Sequence, residues 1–508
     1  MCSGSESVGK TTRRSGKRGI VLEAFVNCQN QLLSRPSVKY KISAAFKIQS
    51  RRLLTAWLAQ TFSVRSMLAC ILFVALSVPP QLVAQPLWFG SSDNPAEHVP
   101  LINWQRQSTI DLMGGWSLIG AQWRTAGNVS ATVQSSIFTA HLSHTLRAGI
   151  YGSYRPDYDE AYDLFRVVEY VKVNTGNRAR RYLRAGPSDR MRLGNGHLVN
   201  FFSNQTSWDE RTPGIEGALF RRNVQVAAFT DNFLINGVNG GRLTIQPLAW
   251  LTTDRARSLS IGVSSAFDLK SGSGIGNRRL FGYNVDLSFE AAAIGDVLVI
   301  PFVSVAWFDG FGSGLAFGAN IAATNLIDLA RIDAKIALHY NGRDFIPGYF
   351  GSFYTINDGS RRILQTRDDI VTDEVVGSLL TDAAGGNDLE TEFRVLFFDG
   401  FEFWYHFKRH YGTRRLSEYH LRLFFSSGRA RIMLSQDRAG LRSFFTLFND
   451  LGDLTALTFR TDYRLTESFW IFVRSRYSFE QLGELDDGTK TFLVQRRFEP
   501  LAGLRIAF

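Results

Sequence analysis

The chain is predicted to be all-β and to close as an antiparallel transmembrane β-barrel of about 18 strands, with about 16–22 allowed. Three observations lead there. Apolar and polar residues alternate with period 2 over segments of roughly ten residues, each broken by turn formers. Beyond Ala84 no run of ~20 predominantly apolar, uncharged residues could cross a bilayer as a helix. The final stretch, LAGLRIAF, sets Ala502, Leu504, Ile506 and Phe508 on one face and Arg505 on the other.

The start of the chain differs in kind. Residues 1–84 carry 12 Lys/Arg against 2 Asp/Glu, a net +10 of the chain's +11. The remainder then holds 57 − 12 = 45 basic and 46 − 2 = 44 acidic side chains, so the basicity gives no case for a nucleic-acid partner. Cys2, Cys28 and Cys70 all precede Ala84. The rest therefore has neither a thiol nucleophile nor a cysteine zinc site. Met67 to Val78 is a short apolar run with Arg65 before it, Pro79-Pro80 after it and small-residue Ala84 at its exit. That pattern is a secretory signal segment, too short to stay as an anchor at ~1.5 Å per helical residue. The expected organisation is a non-native or disordered extension over 1–63, a signal peptide over 64–84, a periplasmic segment over 85–112 and a barrel over 113–508. Within the extension, Ala44 to Leu58 could form a short amphipathic helix.

Strands follow from the alternation. Phe281, Tyr283, Val285, Leu287 and Phe289 alternate with Asn284, Asp286, Ser288 and Glu290. Ile332, Ala334, Ile336, Leu338 and Tyr340 alternate with Arg331, Asp333, Lys335 and His339, and Phe401–Phe407 and Tyr419–Phe425 behave alike. Expected strands include 115–124, 257–268, 281–291, 296–307, 313–323, 331–340, 391–398, 401–410, 416–426, 429–435, 441–449, 453–463, 467–478 and 490–508. Charged residues on one face and aromatics or aliphatics on the other suit a wet interior and a lipid-facing exterior. The terminal aromatic strand, the alternation, the secretion signal and the missing cysteines together resemble Gram-negative outer-membrane β-barrel proteins of porin type. That resemblance implies an outer-membrane location, contact with outer-membrane lipid, and Phe508 as part of the signal for the barrel-assembly machinery.

Two stretches resist strand assignment, Gly186–Gly214 and Tyr354–Leu389, with a possible short helix at Asp368–Leu380. Each could fold inward as a constriction or plug or stand outside as a surface loop. Strand alternation from a periplasmic C-terminus puts the second on the periplasmic side. Long loops belong on the outer side, so either a hairpin upstream of residue 416 is miscounted or this stretch is an exception.

Parity places Arg394, Lys408, Arg422, Arg431, Arg442, Arg460, Arg474, Arg476 and Arg505 on the polar face, with fewer acids, Glu392, Glu402, Glu418 and Asp462. Such a wall resembles the basic ladder of general porins. The same charges could equally pair across strands in a filled barrel. A hairpin centred near Thr413 would set Lys408 opposite Glu418, His406 opposite His420 and Trp404 beside Arg422.

Enzymatic constellations are weak. His141, Ser143 and His144 supply the residue types of the outer-membrane phospholipase, and no motif matches the omptin proteases. Glu402, His406 and His410 have metal-like spacing only on a helix; four strand residues separate side chains by ~13 Å. No metal or cofactor is expected. Asn94-Pro95-Ala96 is similar to a tripeptide of long-chain fatty-acid transporters, and Gly194-Asn195-Gly196 reads as a turn. The expected function is passive or weakly selective passage of small hydrophilic solutes. A structural, surface-binding or polymer-export barrel is the alternative, and an outer-membrane hydrolase the second.

Overall fold

A bilayer offers no water to satisfy backbone amides and carbonyls, so strands that cross it must bond to neighbours on both sides and close into a ring. The computed structural model meets that requirement. It describes residues 108–508 apart from 136, 151, 159–162, 175–181, 222, 252–257, 270–278, 327–328, 358–360, 368–369, 377–379, 399, 412–416, 442–453 and 485–489. The expected extension, its helix, the signal peptide, most of segment 85–112 and Arg442 lie outside the described residues.

Strands β1 (Thr109–Ile119), β2 (Gln122–Gln134) and β3 (Phe138–Gly149) come first, with β4 (Gly152–Ser153) folded back on β3. Shorter strands follow: β5 (Val168–Asn174), β6 (Tyr182–Pro187), β7 (Pro213–Arg221), β8 (Val224–Thr230), β9 (Val238–Ile245) and β10 (Ser260–Asp268). Next are β11 (Leu280–Ser288), β12 (Ala292–Ile294), β13 (Val297–Phe308), β14 (Ser313–Leu326) and β15 (Ala330–Asn341). A one-turn helix α1 (Tyr354–Asn357) and a hairpin, β16 (Arg361–Arg367) with β17 (Ile370–Val376), lead to β18 (Gly386–Phe397). The wall ends with β19 (Phe401–His410), β20 (Ser417–Ser426), β21 (Ala430–Leu441), β22 (Thr455–Arg464), β23 (Phe469–Glu484) and β24 (Lys490–Ala507).

Twenty of these make the barrel, each antiparallel to the next, and β24 pairs with β1 to close it. The count falls within the expected range. β4, β12 and the β16–β17 hairpin are additions; β16 runs parallel to the start of β24. At the seam the chains approach closely: a Cβ on Gly503 would overlap the Leu112 carbonyl, and one on Gly115 the Pro500 carbonyl. Glycine is needed there for space. Phe508, itself exposed, donates its amide to the Ser108 carbonyl at 3.0 Å.

The alternation sorts the two faces as expected. On β11, Tyr283, Val285 and Leu287 are exposed while Asn284, Asp286 and Ser288 are buried. On β15, Ile336, Leu338 and Tyr340 point out and Asp333, Lys335 and His339 point in. An apolar outer face around a charged interior is the pattern of a lipid-embedded barrel.

Four expectations need correction. The first strand begins at Thr109, inside the segment expected to be periplasmic. The expected strand 115–124 straddles a two-residue turn, where Gly120 takes φ +60 as tight hairpins require. Ile370–Val376 is a strand, not a helix; its β-branched residues favour the extended form. Finally, the expected strand 429–435 runs on as the single strand β21, Ala430–Leu441, while the expected strand 441–449 lies, after its first residue, outside the described residues. The β21 segment Gln436–Gly440 looks like a turn, but Asp437 is an inward carboxylate bonded to Arg422. The miscount therefore lies downstream of residue 416. Correcting it moves Tyr354–Leu389 to the rim opposite the Ser108–Phe508 pair, beside segments 150–167 and 188–212.

Candidate functional site

The segment between β6 and β7 turns into the barrel. Gly194 (φ +56) and Gly196 (φ +80) make its tip, which is the turn the sequence suggests. Met191, Leu193, Leu198, Val199 and Phe202 pack with Phe345, Phe350 and Tyr354 from the segment after β15. Wall residues Phe229, Ala266, Leu280 and Phe308 complete this core. The two inward segments are hydrogen-bonded together. Gly348 and Phe350 donate amides to the carbonyls of His197 (2.9 Å) and Leu198 (3.3 Å), and Asn200 donates to that of Phe350 (3.1 Å). Both stretches that resisted strand assignment are thus engaged inward, the second through Tyr354 and Leu380.

Polar side chains tie this fold to the wall. Glu390 accepts from Lys335 Nζ (2.7 Å) and bonds the ring nitrogens of His406 (2.8 Å) and His339 (2.9 Å). Glu392 accepts from Arg192 (2.8 Å) and from the Trp404 indole (2.7 Å). Phe201, at φ +58, stacks on His420 with 4.1 Å between centroids. His197 is packed against His339 and Phe345, and burial pushes its imidazole well below the usual histidine range. Ligand atoms of Glu390, Glu392 and His406 lie within 4.8 Å of one another. The two carboxylates are already engaged by Lys335 and Arg192, so an ion would have to displace those cations.

The sequence-predicted cations that are described, which leaves out Arg442, face inward and divide into two groups. Lys408 bonds Glu418 (2.9 Å) and the Pro347 carbonyl (2.8 Å). Arg422 makes a two-pronged pair with Asp437 (2.9 and 3.0 Å), and Arg505 does the same with Asp111 (2.7 and 2.8 Å). Arg394 bonds Glu402 (2.9 Å), Arg460 bonds Asp462 (3.1 Å), and Arg431 lies over Trp470. The registers of Lys408 with Glu418, His406 with His420 and Trp404 with Arg422 are those expected of the hairpin. Arg474 and Arg476 differ: among the described residues neither has a carboxylate within ion-pair distance.

These two border a cavity of about 200 Å³ between β3, β5, β22, β23, β24 and residues 205–211 of the inward fold. Its other charges are matched. Arg147 bonds Asp157 (2.5 Å) and Glu499 (2.7 Å), Arg497 bonds Asp209 (2.8 Å), and Arg211 reaches Glu169 (3.4 Å). Asp209 is buried, yet Arg497 and hydrogen bonds from Gln495 and Tyr154 hold its carboxyl below the usual range. Burial draws the Arg211 guanidinium down, and it pushes Asp157 up to about 6.

The enzymatic candidates do not assemble. His141 Nδ1 bonds Thr132 (2.9 Å), and the Ser143 hydroxyl accepts from Asn128 (3.0 Å), so they are not bonded to each other. Glu402, His406 and His410 go separately to Arg394, Glu390 and Asp388.

Parity could have found Arg497 and Glu499, which share a face with Arg505, and Glu390, which shares one with Glu392. Trp208, Asp209 and Arg211 sit in an irregular segment where no period signals direction.

No family model and no curated protein matches the chain. Several solved structures are similar in fold. The OccK10 (OpdN) structure of Pseudomonas aeruginosa shares 8% identity over 79% of this chain and 99% of that one, at TM-score 0.29. Escherichia coli Wzi, described as a carbohydrate-binding β-barrel involved in group 1 capsule assembly, shares 10% over 84% and 90%, at 0.31. Acinetobacter baumannii OccAB4 shares 8% over 80% and 100%, at 0.29. Likeness of this degree defines neither family nor activity. The closed ring with its apolar exterior is itself that of an outer-membrane barrel.

Proposed function

We propose that this barrel passes small hydrophilic solutes across the outer membrane along the polar side of its inward fold. The observation that carries this is the cavity of about 200 Å³, walled by charged side chains, beside an inward fold whose other side is packed as a core. At ~30 Å³ per water that space holds roughly six or seven waters, or one small solute. Narrowness makes passage selective, and the charge-lined wall favours polar cargo over apolar. A wide, weakly selective pore is disfavoured by the aromatic core around Phe202 and Phe350. No Ser–His pair forms on β3, which counts against a hydrolase.

Planar-bilayer recording of the purified full chain tests the proposal. Small, discrete conductance steps, blocked by solutes too large for the cavity, are expected. An electrically silent barrel would favour a second reading, a filled barrel that displays its outer loops for binding or for export of a polymer. The packed inward core supports that alternative.

A further inference from the structure

We propose that Arg474 and Arg476 form a binding site for a small oxyanion, a carboxylate or a phosphate, with Trp208 as the residue that positions it. The inference rests on the cavity reading above and names the chemistry of the solute.

Alternate positions on β23 put both arginines on the inward face, with Cα atoms ~7 Å apart. Register then sets cations beside cations. Arg460 lies directly across from Arg474, and Arg497 directly across from Arg476. Like charges opposite one another destabilise a sheet. The carboxylate across from Arg474 is Glu499, already bonded to Arg147 and Ser117. Arg474 Nε is buried without a hydrogen-bond partner, as are the Nε atoms of Arg211 and Arg497 at the same cavity. Buried donors are nearly always satisfied, so an orphan at a cavity points to a missing acceptor.

Arg476 adds a second, independent sign. Its guanidinium carbon lies over the Trp208 ring, 3.0 Å from the centroid, and that of Arg211 lies over the same indole at 3.8 Å. Stacking uses the faces of a guanidinium and leaves its in-plane N–H edge free. Among the described residues that edge has no acceptor. A planar fork held by an aromatic surface is pre-organised for two-pronged bonding to a carboxylate or phosphate. Two unmatched positive charges further favour a doubly charged ligand. The cavity limits it to a molecule of a few heavy atoms.

The test is isothermal titration of the detergent-purified full chain at low salt with succinate, inorganic phosphate and, as neutral control, erythritol. Saturable binding of succinate or phosphate but not erythritol is expected, weakening as salt shortens the ~10 Å screening length. Which of the two binds more tightly tells carboxylate from phosphate. Arg474→Gln and Arg476→Gln should each weaken binding roughly tenfold or more, as loss of a charge-assisted bond does. Arg476→Lys keeps the charge and loses the fork, so it should recover little. Trp208→Leu should weaken binding while Trp208→Phe, which keeps a ring, retains most of it. Heat-modifiable gel mobility checks that each variant is folded. Absence of saturable binding by both anions in folded wild type overturns the site, as does unchanged binding in the folded Arg474→Gln, Arg476→Gln double variant. Conductance without anion binding sinks this site and leaves the passage reading standing; binding without conductance does the reverse.

Discussion

The lumen has two sides that obey different rules. Towards β8–β15 the inward fold packs as a protein core does, with Phe202, Phe308, Phe345 and Phe350 in one buried cluster, and Arg192 and the wall's Lys335 are matched to Glu392 and Glu390. Towards β22–β24 the same fold presents Trp208, Asp209 and Arg211, and the wall opposite holds two arginines with no carboxylate within ion-pair distance among the described residues. One segment therefore seals one side and lines a cavity on the other. Charge left unmatched beside matched charge marks where stability was not the governing demand.

The largest expected effect is on the sealed side. Glu390→Gln leaves Lys335 buried without its counter-charge, and breaking a buried pair costs about 3–5 kcal/mol. The folded, heat-modifiable gel form should then melt well below wild type. Leu198→Ala removes packing from the same core and should cost about 2–5 kcal/mol, with noisier or larger conductance as the seal loosens. Equal melting temperatures for wild type and Leu198→Ala would show that this core does not hold the inward fold.

The two sides should diverge for arginine. Arg422→Gln strands Asp437, and Arg505→Gln strands Asp111, so each should lose several kcal/mol. Arg474→Gln with Arg476→Gln removes repulsion and should leave stability within about 1 kcal/mol of wild type, or raise it. Bilayer reversal potentials of that double variant should move toward cations. A large fall in melting temperature with unchanged ion preference would erase the distinction between the sides.

The smallest effect is a pH dependence. Asp157 sits at the cavity beside Arg147, with Arg497, Asp209 and Glu499 near, and burial raises its pKa to about 6. A raised carboxyl pKa contributes stability that is complete below the unfolded value near 4 and is lost as pH rises through about 6. Protonation also removes a negative charge from the cavity wall. Anion preference should therefore increase modestly as pH falls through 6, and Asp157→Asn should abolish that step. A step that persists in Asp157→Asn would assign it to another group.

How much of this was legible in the sequence depended on whether a residue had a period to follow. The Phe401–His410 strand and its register with β20 were readable to the residue, because alternation and a central turn specify both. Strands β5–β8 were harder, since they are short and interrupted by Gly186, Gly214 and Gly217. The inward direction of Arg474 and Arg476 follows from parity, but their lack of a carboxylate among the described residues does not. That depended on Glu499 being taken by Arg147, which lies 352 positions away in sequence. Trp208 was out of reach for the same reason: its role comes from a meeting of an irregular segment with a distant strand.

The backbone bonds that join residues 197–200 to 348–350 have a further consequence for motion. Two loops separated by eight barrel strands are stitched into one cooperative unit, so neither can swing out while the other stays. Opening then resembles a small unfolding event, all-or-none and slow, instead of a graded fluctuation of one loop. Amides at Gly348, Phe350 and Asn200 should exchange with solvent hydrogen at a common rate, set by that single event.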